Sequence, residues 1–360
     1  MESGAPRPLN PLARPLATLT PMSDGVSLAA PRTAARLMMW IERGLLLGGV
    51  VLFAFLVERL GAADVWANLQ LIGWGFVLVF AQEGLAFVFN TIGWSFAFPK
   101  PRKCTRFSQL VAARLAGEAI NNVTPTATIG GEVVRARMIT ETCESHVAWA
   151  SVAVAKLAQT AAQMLFVFTG LVLLVRDVEL PAGYRQGLYA GLAAISAGLM
   201  LGIALQRRGM FGAAVRLATR LGVRVPQALR EHVTRLDAEI ARVYAEPKEF
   251  AASIGAFFAG WCMGAVEVYI VMYLLGLSPT WGQAVTVEVL SVAIDALFFF
   301  VPAKAGVQEG GKALIFQLMG LDPGKGLVLG IVRRLRELSW SLVGLVVLAV
   351  HQSRARRKRA

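Results

Sequence analysis

The chain has 360 residues, 56% hydrophobic and only 16% charged, with a mean hydropathy of +0.58. A soluble domain carries about a quarter charged residues, and the apolar residues here fall in long uninterrupted runs, which excludes a soluble enzyme and indicates a membrane protein. The formal charge of +13 comes from Lys and Arg clustered between those runs, an orientation signal rather than a nucleic-acid footprint.

Residues 1–36 hold six prolines, from Pro6 to Pro31, with several arginines. They read as a disordered cytoplasmic tail. No continuous apolar stretch precedes Leu37, so a cleaved signal peptide is not expected. The membrane part covers 37–350. Its first apolar segment runs from about Leu37 to Val57, its second from Leu71 to Phe98. A polar-studded stretch spans 107–141, and long runs follow at 146–175 and 186–205. A charged stretch, 206–248, carries the helix-period stripe Leu229, Val233, Leu236, Ile240 and Val243. This is an amphipathic cytoplasmic linker, either packed on its neighbours or resting on anionic lipid headgroups. Apolar character returns at 250–275, 282–319 and 327–350, before a basic cytoplasmic tail at 351–360.

Basic residues crowd 100–106, 206–230 and 354–359. The positive-inside rule puts these regions and both termini in the cytoplasm of a bacterial inner membrane, and the loops at 276–281 and 320–326 outside. It follows that 107–141 enters and leaves from the inner face and 282–319 from the outer face. Residues 107–122 would make a helix of about 24 Å, too short for a hydrocarbon core of roughly 30 Å. Both stretches therefore read as re-entrant, broken-helix hairpins of opposite orientation, although 282–301 is long enough to cross.

The two hairpins share a pattern at an offset of 177 residues. Glu118 matches Asp295, Pro125 matches Pro302, Glu132 matches Glu309, Arg135 matches Lys312, and Lys156 matches Arg333. The fold class is thus an all-α polytopic bundle containing an inverted-topology repeat, with units at about 71–175 and 250–350. Such repeats place substrate near the midplane, between broken helices. Ionisable residues there are costly and are functional candidates. Pro125 and Pro302 break the helices, while Gly130, Gly131 and Gly306 permit bending and close approach. The new helix starts offer N–H groups to an anion or a phosphate headgroup. Glu118, Glu132, Arg135, Lys156, Asp295, Lys304, Glu309, Lys312 and Arg333 form the candidate headgroup site. A structural ion pair between Glu132 and Arg135 is the competing reading. Glu83, Asn90, Gln159, Gln163 and Glu267 read instead as makers of interhelical hydrogen bonds.

The three cysteines and three histidines are scattered, so neither a metal site nor a disulfide is expected. No cofactor motif appears, and the absence of a G-x4-GK[ST] loop points to transport by gradient, partner or downhill movement.

The segments Asn121-Asn122-x2-Pro125-x4-Gly130-Gly131-Glu132-x2-Arg135 and Pro302-x3-Gly306-x2-Glu309 resemble the two signatures of the flippase-like membrane domain of lysylphosphatidylglycerol synthases. Residues 301–311 and Arg333-Arg334-Leu335-Arg336-Glu337 look most like the hopanoid-biosynthesis-associated branch. The resemblance implies translocation or delivery of a membrane lipid, with envelope-lipid biosynthesis proteins as partners. A basic tail stands where the synthases continue into an aminoacyl-transferase domain, so lipid aminoacylation is not implied. Two rival readings are an intramembrane lipid-modifying enzyme using Glu118 and Glu132 as acid and base, and a non-transporting scaffold.

Overall fold

The computed structural model describes residues 55, 58–59, 62–98, 104–123, 129–177, 182–223, 225–298, 301 and 306–357. The N-terminal tail, most of the first apolar segment, Pro125, Pro302 and Lys304 lie outside them. The described residues contain twelve helices: α1 Ala62–Ile72, α2 Gly75–Phe96, α3 Phe107–Val123, α4 Ile129–Ile139, α5 Ser145–Asp177, α6 Ala182–Arg207, α7 Met210–Arg220, α8 Gln227–Tyr244, α9 Pro247–Leu274, α10 Trp281–Leu297, α11 Val307–Leu318 and α12 Pro323–Arg357. Helices α2 and α9, the 145–173 part of α5 and the 189–207 part of α6 are long and apolar enough to cross a membrane. Helix α12 has the length, about 52 Å, but carries charges within it.

Two runs of four helices match in length. In the first, α2 to α5 have 22, 17, 11 and 33 residues. In the second, α9 to α12 have 28, 17, 12 and 35. The first members of the two runs pack together, and they are antiparallel. The Ser253 hydroxyl donates to the Gly93 carbonyl at 2.7 Å, Gly260 faces Asn90, and Gly75 faces Leu274. Numbers rise along one helix as they fall along the other, the relation an inverted repeat requires.

Each hairpin returns to the end from which it starts. Cys104, before α3, and Cys143, after α4, have Cα atoms 5.0 Å apart and form a disulfide. This bond overturns the expectation that the scattered cysteines form no disulfide. The cysteines flank a hairpin that brings both ends of its 39-residue separation together, which spacing alone does not reveal. Leu110, Ile139 and Cys143 join Trp94 and Phe257 in one apolar cluster, along with Leu236, Ile240 and Val243 of α8. The stripe on α8 therefore packs on its neighbours, except Leu229, which is exposed. The second hairpin ends in a separate cluster, where Ala284 of α10 and Phe316 of α11 meet Val79, Val271 and Leu327. Val79 and Trp94 lie toward opposite ends of α2, so the hairpins enter the bundle from opposite ends.

The bundle is apolar outside and charged inside. On α12, Leu335, Leu338, Leu342 and Val346 are exposed while Arg333 and Arg336 are buried. A soluble helix would reverse that arrangement. In lipid it is the arrangement that keeps charge on partners in the bundle interior.

Candidate functional site

Between the two apolar clusters lies a polar cavity of about 350 Å³, within the size range of small-molecule sites. Its walls come from α2, α3, α5, α9 and α12, from the last turn of α10 with Glu288 and Val292 before it, and from the first turn of α11. The 177-residue register reappears in this wall. Glu83 and Gly260, Phe87 and Gly264, Asn90 and Glu267, Glu118 and Asp295, and Gln159 and Arg336 are all lining residues. The duplication thus extends beyond the hairpins, and both copies build one chamber.

The first hairpin positions a four-membered charge cluster. Arg135 donates to Glu132 at 2.9 and 3.0 Å and to Glu118 at 2.6 Å. Lys156 of α5 reaches Glu132 at 3.4 Å. The close contact of α3 with α4 makes these bonds possible. Gly131 donates its N–H to Asn121 at 2.8 Å, and a Cβ on Gly131 would collide with the Gly117 carbonyl and the Asn121 side chain. Gly130 and Gly131 lie within α4, so at Gly131 the requirement is close approach, not a bend.

The second hairpin is wired differently. Gly306 precedes α11 with φ +74°, a conformation that favours glycine. Glu309 pairs with Arg334 at 3.1 Å, not with Lys312, whose amino group donates to the Gln308 carbonyl at 3.4 Å. Asp295 lines the cavity and accepts from Gln308 at 3.3 Å. Arg333 is held by Glu267 at 3.0 Å and Glu288 at 2.6 Å. Arg336 pairs with Glu267 and with Glu83, the latter at 2.9 Å.

Of the expected site residues, Glu118, Asp295 and Arg333 line the central cavity. Glu132, Arg135 and Lys156 line a smaller pocket beside it, shared with Arg114. Glu309 and Lys312 are buried but absent from both linings. The polar residues read as interhelical glue all line the cavity. Glu83 and Glu267 do bridge helices, but through arginines. Sequence reasoning missed Arg114 and Glu288 altogether. A signal existed, since both are charges inside otherwise apolar helices.

A family model for the lysylphosphatidylglycerol synthase TM region matches residues 41–345. The chain belongs to that family. Searches of curated proteins and of solved structures gave no match. Membership joins the transmembrane helices and the buried polar chamber to a membrane, lipid-related role. All of the cavity-lining residues fall inside the matched span.

Proposed function

We propose that the chain is a flippase-like lipid-handling protein of the bacterial inner membrane, holding a lipid headgroup in the central cavity while the acyl or terpenoid part stays in the bilayer. The carrying observation is the polar cavity set in the bundle between two oppositely inserted hairpins. The charge of the wall refines the headgroup. Among the described lining residues, Glu83, Glu118, Glu267, Glu288, Asp295 and Glu337 face only Arg114, Arg333 and Arg336. A purely anionic headgroup would meet repulsion over most of this surface. A headgroup bearing hydroxyl donors suits the carboxylates better, with any negative charge gathered at the arginine side. A hopanoid-type lipid with a polyol end meets that description, as does a glycerol-based phospholipid. Proteins of envelope-lipid synthesis are the natural donors or acceptors of such a lipid.

The test is reconstitution into liposomes with a fluorescent lipid, scoring access of a membrane-impermeant quencher. Wild-type protein should expose the inner-leaflet pool, and the folded double variant E118Q/D295N should not. Mass spectrometry of lipids retained after gentle extraction should recover the substrate at unchanged mass. A lipid chemically altered by the purified protein would favour the enzyme reading. Neither movement nor retention of any lipid would leave the scaffold reading.

A further inference from the structure

Apart from Arg114, the described buried arginines around the cavity and the smaller pocket are paired. Arg135, Arg333 and Arg336 each have a carboxylate within 2.6 Å. Arg114 does not. It sits on α3 one turn before Glu118, 4% exposed, and among the described residues it makes no ion pair. Its guanidinium lies 5.7 Å from the centre of the Phe257 ring, and its Nε has no hydrogen-bond acceptor. The nearest acids on the hairpin, Glu118 and Glu132, are both engaged by Arg135. Arg114 lines the central cavity and also the smaller pocket.

A second orphan donor stands one turn beyond Phe257. Trp261 of α9 lines the cavity, and its indole N–H is buried without an acceptor. Lys156 lines only the smaller pocket, where it reaches Glu132 at 3.4 Å. Gln159 lines both spaces.

An arginine does not lose its proton in a protein. A buried charge without a partner is expensive. An orphan donor beside it adds a further cost. Both costs disappear when a bound oxyanion accepts from the guanidinium fork and the indole. Phosphate oxygens match that fork in a bidentate manner. Carbonyl or hydroxyl oxygens would satisfy the N–H groups but leave the charge unmet.

We propose that Arg114, with Trp261, forms a subsite for a phosphate or phosphodiester group of the bound ligand. This rests on the reading of the cavity as a headgroup chamber and goes further by naming which headgroup charge it takes and where. The rest of the headgroup then lies toward the carboxylate side of the chamber.

The experiment measures binding to the full chain in detergent by isothermal titration calorimetry. Three probes are titrated: dihexanoyl phosphatidylglycerol, dihexanoylglycerol and inorganic phosphate. Wild-type protein should bind the phosphatidylglycerol at least tenfold more tightly than the uncharged dihexanoylglycerol. Arg114→Gln should erase that preference by about 10- to 100-fold, and Arg114→Lys should restore part of it. Arg137→Gln, on the exposed face of α4, should change nothing. Competition by inorganic phosphate would show that the phosphate alone suffices; binding of the phospholipid without such competition would show that the subsite takes phosphate only as part of a lipid. If Arg114→Gln does not fold, the wild-type preference decides. Equal binding of both lipids by wild type overturns the phosphate subsite and leaves the lipid reading standing. Binding of neither lipid overturns the headgroup reading itself. A preference that survives in folded Arg114→Gln overturns the assignment to this residue.

Discussion

Glu118 and Asp295 stand 177 positions apart on opposite hairpins and line the same cavity. Glu118 accepts from Arg135 at 2.6 Å, and Asp295 accepts from Gln308 at 3.3 Å. The repeat places a carboxylate at the same register in both halves.

The Arg135 cluster separates a ligand role from a structural one. Arg135→Gln strips two partly exposed carboxylates of their main partner and should cost about 1–2 kcal/mol of stability, less than a fully buried pair because solvent screens them. Removing Glu118 as well should recover part of that loss. Arg135→Lys should be milder, keeping the charge but losing the fork. A double-mutant cycle on Glu118 and Arg135, scored for unfolding and for lipid movement, checks this. Folded single variants with unchanged stability and transport would remove the cluster from the site.

Glu267 is fully buried and serves both Arg333 and Arg336. Glu267→Ala leaves two guanidinium groups short of a counter-charge, a loss of about 3–5 kcal/mol. Thermal unfolding in detergent should show it as the most damaging substitution in the cavity wall. The double variant E267Q/R336Q should melt above E267Q alone.

Gly131→Ala should lower stability by about 1–3 kcal/mol, because the new methyl meets a backbone carbonyl that cannot turn aside. Gly191→Ala is the control, since a Cβ there meets nothing within 4 Å. Equal melting temperatures for the two variants would mean that α3 and α4 are not in close contact.

Cysteines introduced singly at Ser278 and Asp322, both exposed beside the second apolar cluster, should label from one side of the membrane. Thr234, exposed on α8 next to the first cluster, should label only from the other. Labelling of all three from one side would contradict hairpins entering from opposite ends.

Unreduced protein should accept one maleimide per chain, at Cys262, and reduction should raise this to three. Intact-mass measurement counts the tags. Three tags before reduction would remove the Cys104–Cys143 bond.

The helical fold was legible because apolar runs and basic loops act on every residue at once, and the membrane gives both a fixed meaning. The hairpins were legible because segments too short to cross must turn back. At the site, the offset of 177 found Glu118, Asp295 and Arg333 but passed over Arg114 and Glu288, whose counterparts are Ser291 and Val111. A search for what two halves share is blind to what only one half carries. The register is also silent on pairing in the second hairpin: Lys312 follows Glu309 at the helical spacing of Arg135 after Glu132, yet Glu309 pairs with Arg334. Spacing along one helix says which partners are within reach; a stronger cation on the neighbouring helix decides which is taken. The disulfide was hidden for a similar reason, since only the folded hairpin juxtaposes its ends.

The two apolar clusters share no residue, and the chamber separates them. Loosening the packing around Ile139 therefore leaves the contacts of Phe316 intact, and the reverse holds too. Substitutions at the two ends should act additively on stability, as distant sites do. The disulfide spans only the mouth of the first hairpin, so the two ends of the molecule are not equally free to part. In a bundle whose halves descend from one pattern, a single covalent tie makes one entrance stiffer than the other.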